Sequence, residues 1–247
     1  MFVTAHATAQ QQGGRSHQCD ATAVTAAHGG VVAFAVLDGI GSSPEVARFT
    51  RQAAHRLTRA AVRTHSAEAA VRQVSHEIDV ERFHGAEDGP AACALVVLVV
   101  PGEPLRLAWR GDVRAYVIRD GQVEQLTRDH NRRRVNQDKG RPVGEYDRNT
   151  VTSCLGDVNS ADAIERFCGH DAIETATVDP EELRLVLATD GAYEPIEDLG
   201  RSVGKYLTGF PAQAAAALTA TAVMDARITR RPQHVDNASV MVVDLVP

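Results

Sequence analysis

Two apolar runs in this 247-residue chain both end in the same dipeptide. Val31-Val32-Ala33-Phe34-Ala35-Val36-Leu37 runs into Asp38-Gly39, and Leu183 to Thr189 runs into Asp190-Gly191. Short, β-branched, continuously apolar runs read as strands buried on both faces. A carboxylate at the end of such a strand has its backbone fixed by the sheet while its side chain reaches a cleft. Asp20, before Ala-Thr-Ala-Val, and Asp236, before the apolar run Ala238 to Leu245, stand at similar edges. Alone, each Asp-Gly reads as a turn. Several carboxylates gathered at strand ends need a neutralising cation, and hard oxygen donors suit Mg²⁺ or Mn²⁺.

The intervening sequence predicts the remaining elements. Ser43 as N-cap and Pro44 at the first helical position open a helix whose core stripe is Val46, Phe49, Ala53, Leu57 and Ala60. A second helix is expected over Ala67 to Phe83, ended by Gly85, Gly89 and Pro90. Strands are expected at Ala92 to Val100, Leu105 to Trp109, Ala115 to Ile118 and Val123 to Leu126. The last two flank Asp120-Gly121, a pair that favours a tight antiparallel hairpin. The polar segment His130 to Asp147 reads as a surface loop. A strand is expected at Thr150 to Cys154 and a helix at Ala212 to Arg227. Helices in pairs with hairpins between them suit antiparallel sheets covered by helices, the α+β class. No repeat or linker divides the chain, so residues 1–247 read as one domain.

Composition narrows the function. A formal net charge of −6 argues against nucleic-acid binding, which needs clustered Lys and Arg. The longest apolar run, Ala94 to Val100, is too short for a membrane span. The N-terminus has neither a basic region nor an apolar one, so no secretory signal is expected. Cysteines 19, 93, 154 and 168 form no CxxC pair, which reads as reduced thiols in a cytoplasmic protein. Ten histidines in no metal-binding spacing make a zinc hydrolase a poor fit. Trp109 and Tyr116 read as core or rim, the cysteines other than Cys19 as core, and His130 as a structural hydrogen-bonding group.

An ordered set of motifs then becomes specific: Arg15-x-x-x-x-Asp20, Leu37-Asp38-Gly39, Arg110-Gly111-Asp112-Val113-Arg114-Ala115-Tyr116, Leu126-Thr127-Arg128-Asp129-His130, Arg148-Asn149-x-x-Thr152-x-x-Leu155-Gly156, Thr189-Asp190-Gly191 and Asp236-Asn237-Ala238-Ser239. This set resembles the type 2C (PPM) metal-dependent Ser/Thr protein phosphatases, most of all their compact bacterial branch. The resemblance implies a four-layer α/β/β/α sandwich of two antiparallel sheets flanked by helices, with a metal cleft at one edge. It implies hydrolysis of phosphoserine and phosphothreonine esters by a water that two Mn²⁺ or Mg²⁺ ions activate for in-line attack. Carried over by position, Asp38 bridges both ions, the Gly39 carbonyl binds one, and Asp190 and Asp236 complete the other. Asp20 acts nearby, Asp112 matches the position of a third, weaker ion, and Arg15 holds the substrate phosphate with its planar fork. The implied partners are phosphoproteins made by a Ser/Thr kinase, with no nucleic acid or membrane, acted on by a monomer.

Two departures stand out. Cys19 occupies a position where the family places Glu or Gln, and a soft thiolate suits Mg²⁺ poorly. No histidine follows Asp38-Gly39, where the family carries a proposed general acid. Both departures favour a rival reading, a catalytically weak module that binds phosphorylated partners. A phosphatase of small phosphorylated metabolites is a third reading. The Arg132 to Arg134 run falls in the family's flap beside the active site, positioned to meet acidic substrate segments.

Overall fold

The computed structural model describes residues 1–83 and 89–247, so Gly85 lies outside the described residues. Two five-stranded antiparallel sheets form the middle of the molecule. One takes the order β1 (Phe2–Gln11), β10 (Ala238–Val246), β9 (Leu183–Ala188), β6 (Arg114–Arg119), β7 (Gln122–Gln125). The other takes the order β2 (Ala21–Ala26), β3 (Val32–Ile40), β4 (Ala91–Val99), β5 (Leu105–Arg110), β8 (Glu174–Val178). Side chains alternate across a strand, so each apolar run supplies two cores. On β3, Phe34 and Val36 enter the core between the sheets, while Ala33, Ala35 and Leu37 pack beneath α1 (Pro44–Thr64) and α2 (Ala67–Phe83). On β9 and β10, Leu185, Leu187, Met241 and Val243 face inward. Val186, Val240 and Val242 pack against α5 (Asp190–Asp198) and α6 (Pro211–Thr229). Burial on both faces is why these runs carry almost no polar residue, and the four-layer sandwich follows directly.

The local expectations for α1 and the hairpin hold. Ser43 accepts a hydrogen bond from the Val46 amide at 3.2 Å, capping α1. Asp120 and Gly121 both take positive φ, 47° and 76°, joining β6 to β7 with Arg119 opposite Gln122. Trp109 and Tyr116 are buried, as are Cys93 and Cys154; Cys168 is partly so.

Two expectations need correction, and three elements were not expected. Phe2–Gln11 form the edge strand β1, which beyond Phe2 and Val3 is Thr, Ala, His and Gln and so gives only a weak apolar signal. The segment His130 to Asp147 is not all loop: α3 (Arg132–Asp138) starts at Asn131, whose side chain accepts from the Arg134 amide at 3.1 Å. Thr150 to Cys154 is not a strand. It makes one isolated bridge, Val151 to Asn131, and Leu155 makes another to Ala92. Between them and β9 the chain forms α4 (Ala161–Cys168) and β8, both short and each burying few apolar residues.

Arg134 explains why the arginine run is more than a solvated loop. Its guanidinium grips Glu174 of β8 through two bonds of 2.8 and 2.6 Å, whereas Arg132 and Arg133 are exposed. His130 completes the clamp. Its Nδ1 accepts from the Gly111 amide at 3.3 Å, so Nε2 carries the proton towards Glu174 at 3.2 Å. Burial keeps His130 neutral, pulling its pKa from 6.5 to about 4 against the raising pull of Glu174. The unfolded chain takes up this proton below pH 6.5 and the native one does not until about pH 4, so stability falls as pH drops through that window. Comparing urea unfolding of wild type and His130→Gln cancels the other titrating groups. The wild-type advantage should shrink by about 2 kcal/mol between pH 7 and pH 5. A constant difference would show that His130 is not held neutral.

Candidate active site

Loops at one edge of the sandwich bring the acidic residues together. Asp20 immediately precedes β2, Asp38 lies near the end of β3, and Asp190 opens α5. Asp236 lies two residues before β10, and Asp112 sits in the turn from β5 to β6. Arg15, Asp38, Gly39, Asp112, Asp190 and Asp236 line a cleft of about 330 Å³. Asp20 stands behind that surface, accepting from the Thr189 hydroxyl at 3.0 Å and hydrogen-bonded to the Asp38 carboxyl. Asp190, Asp20, Asp236 and Asp112 all bear on Asp38, which makes it the centre of the group.

The glycines after the two strand-end aspartates are not turn residues. A Cβ on Gly191 would lie 1.9 Å from the Asn237 carbonyl oxygen, and one on Gly39 would lie 2.5 Å from that of Cys19. Each glycine lets another backbone segment press against the strand end, which draws Asp236 towards Asp190 and Asp20 towards Asp38. Asn237 extends this tie, accepting from the Cys19 amide at 2.7 Å and donating to the Gln12 carbonyl at 2.8 Å. The start of α5 is fixed from its other side. Arg114 lies 3.8 Å over the Tyr193 ring, and the Tyr193 hydroxyl donates to the Asp112 carbonyl at 2.9 Å.

The electrostatics are those of crowded anions. Burial raises the pKa of Asp38, and the charges of Asp190, Asp20, Asp236 and Asp112 raise it further. Asp190 is raised by burial and then by Asp236 and Glu194. Asp20 is pushed up to about 7 by burial, against hydrogen bonds from Ser239 and Thr189; Asp112 reaches about 7 through burial and the charge of Asp129. The partner of Asp236 is Arg15, whose Nη2 donates to it at 2.5 Å. The Arg15 Nε is buried without a partner, an orphaned donor at the cleft. Among the described residues no three His, Cys, Asp or Glu side chains already enclose one ion position. The donor set itself is hard oxygen throughout, buried and mutually repulsive, which is the chemistry that Mg²⁺ or Mn²⁺ satisfies.

Cys19 does not enter the cleft. Fully buried, its thiol donates to the Ser43 carbonyl at 3.6 Å and packs with Val46 and Ala47 at the start of α1. Residues outside the expected set form the opposite rim. Arg148 and Arg230 both pair with Glu194 and Asp198, and His234 also lines the cleft. Asp190, Glu194 and Asp198 are spaced four apart on α5 and share one helix face, a spacing that was available in the sequence.

The protein phosphatase 2C family model matches residues 5–199. No curated protein matches the chain. Solved structures do. The PPM Ser-Thr phosphatase MsPP from Mycobacterium smegmatis, in complex with cacodylate, is 22% identical with a TM-score of 0.73, over 99% of this chain and 100% of that one. The Mycobacterium tuberculosis serine/threonine phosphatase PstP/Ppp is 23% identical with a TM-score of 0.71, covering 100% of both chains. The catalytic domain of PstP in complex with two manganese ions gives 21% identity and a TM-score of 0.71, again over 100% of both chains. With the family model covering most of its length, this chain belongs to the protein phosphatase 2C family, the metal-dependent phosphoprotein phosphatases.

Proposed function

We propose that residues 1–247 form one phosphatase domain that hydrolyses phosphoserine and phosphothreonine esters in proteins phosphorylated by a Ser/Thr kinase. The protein acts as a cytoplasmic monomer. The pairing of β1 with β10 supports the single domain, since it joins the two ends of the chain in one sheet beyond the matched span. No helix among the described residues is long and apolar enough to cross a membrane.

The observation that carries the reading is the centre of the cleft: Asp38 crowded by the charges of Asp190, Asp20, Asp236 and Asp112, beside Arg15 paired with Asp236. Asp38, Asp190, Asp236 and the Gly39 carbonyl would hold a pair of divalent cations, with Asp20 behind them and Asp112 at a third, weaker position. The PstP catalytic domain is known in complex with two manganese ions, which supports this assignment. Bound there, such ions would activate water and neutralise charge on the phosphoryl group. Arg15, which lines the cleft beside Asp236, would meet the phosphate with its guanidinium and hold it next to the carboxylate cluster. Thr189, through its hydroxyl, fixes the Asp20 carboxylate and keeps the cluster aligned. Glu194 and Asp198 keep Arg148 and Arg230 in place on the rim.

Asp38→Asn separates the roles of this centre. With one charge gone, the metal-free protein should gain roughly 2–4 °C in melting temperature, the shift expected for about 1 kcal/mol in a chain of this size. The rise that Mn²⁺ produces in wild type should vanish, and Mn²⁺-dependent hydrolysis of a phosphothreonine peptide should fall at least about 1,000-fold. A folded Asp38→Asn protein that keeps wild-type turnover would overturn the assignment.

Arg15→Ala should raise KM for the same peptide about tenfold or more and lower kcat less, because a phosphate clamp serves ground and transition states alike. A change in kcat alone would exclude a simple clamp. Cys19 turns its sulfur away from the cleft, where relatives offer an oxygen. Calorimetric titration with Mn²⁺ should therefore resolve one tight and one weak site, with turnover following the weak one. Two tight sites would show that Cys19 costs the centre nothing.

A further inference from the structure

A phosphorylated residue in a protein arrives with chain on both sides, and both sides must leave the cleft across its rim. The two rims differ in chemistry. One is the charged network of Arg148, Arg230, Glu194 and Asp198. The other opens without interruption into a second groove of about 490 Å³, since Ile40, Asn149 and Val151 line both. Apolar groups dominate the walls of this groove. Ile40 and Val151 form the side nearest the cleft, and Ile164 and Phe167 of α4 form the far side. Ile164 is buried in its wall, while Phe167 is 67% exposed and Ile40 45% exposed.

Ile164 and Val151 also pack against the core, but the exposed parts of Ile40 and Phe167 gain nothing from folding. The segment that carries them is nonetheless held in place. Ser160 caps α4 by accepting from the Ala163 amide at 3.2 Å, and Lys139, at the end of α3, donates to the Phe167 carbonyl at 2.5 Å. The strand fixes the spacing from the reacting centre. Asp38 and Ile40 are two apart on β3 and point to the same face, so the first apolar contact lies roughly 7 Å from the central carboxylate. An extended peptide advances about 3.4 Å per residue, which places a side chain two or three residues from the phosphorylated one at the mouth of the groove.

We infer that the groove between Ile40, Val151 and α4 binds the substrate segment flanking the phosphorylated residue and selects an apolar side chain two or three positions away on one side. This inference builds on the phosphatase reading and names a feature of its substrates. Burying one apolar side chain in such a pocket typically yields 10- to 200-fold discrimination.

The test uses the full chain with Mn²⁺ and phosphothreonine peptides in which leucine or aspartate is placed in turn at each of the three positions on either side. Leucine should raise kcat/KM about tenfold over aspartate at the second or third position on one side only. In Phe167→Ser that ratio should fall towards one; as a ratio, it is insensitive to a general change in turnover. Phe167 is exposed, so its replacement leaves the core intact. A flat profile, or a profile that Phe167→Ser leaves unchanged, overturns the inference. So does a dimer that Phe167→Ser dissociates without altering the profile, which would give the groove to a second copy. p-Nitrophenyl phosphate, too small to reach the groove, gauges the cleft alone. If neither it nor any peptide is hydrolysed, the phosphatase reading fails. The groove is then judged by fluorescence anisotropy of the labelled peptides, where the same leucine preference must appear or the inference fails too.

Discussion

Mutual repulsion among buried carboxylates is the constraint around which this molecule is organised. Asp20, Asp38 and Asp190 are held within hydrogen-bonding reach at the edge of a two-sheet sandwich, with Asp236 alongside, and no folding gain comes from placing them there. Burial makes each charge more expensive and brings the others closer in effect. Such an arrangement persists only when its surroundings over-determine it. Those surroundings are specific: two glycines that admit a neighbouring backbone, Asn237 tying the Cys19 and Gln12 segments, and Thr189 bonded to Asp20. On the reading proposed above, a divalent cation would turn this cost into affinity, and the same repulsion would become the means of holding the ion.

The sandwich supplies what the cluster needs. Both ladders run antiparallel, so β3 and β9 can end at one edge although they belong to different sheets and lie far apart in sequence. The strands are covered on both faces, which fixes their register through the packing of Phe34, Val36, Leu185 and Leu187 between the sheets. Carboxylates at the ends of such strands inherit that rigidity. The peripheral clamp of His130, Arg134 and Glu174 then anchors α3 to β8 and, through the Gly111 amide, reaches the turn that carries Asp112.

Much of this was legible in the sequence. The continuous apolar runs declared their two-sided burial, the Asp120-Gly121 hairpin declared its own turn, and Ser43-Pro44 declared the start of α1. Asp38 and Asp190 were visible because each interrupts an apolar run at its end. What stayed hidden had physical reasons. Strand β1 lies at a sheet edge, and beyond Phe2 and Val3 its only apolar residues are alanines, so the periodicity was too weak to read. Helix α3 was masked by its arginines, since only tertiary contact distinguishes the buried Arg134 from its exposed neighbours. The Asp-Gly pairs suggested turns, whereas their glycines serve close approach between segments that the sequence does not show to be adjacent. The partnership of Arg148 and Arg230 across Glu194 and Asp198 depends on the same kind of long-range contact.

The central claim is that these carboxylates form the seat of a pair of divalent ions. Anomalous scattering from crystals of the protein soaked in Mn²⁺ tests it most directly. Manganese peaks in the cleft, one in contact with Asp38, Asp190 and Asp236 and a weaker one beside Asp38 and the Gly39 carbonyl, are the predicted result. A cleft without manganese at saturating metal, with Asp38 still hydrogen-bonded to Asp20 and Asp190, would contradict the account.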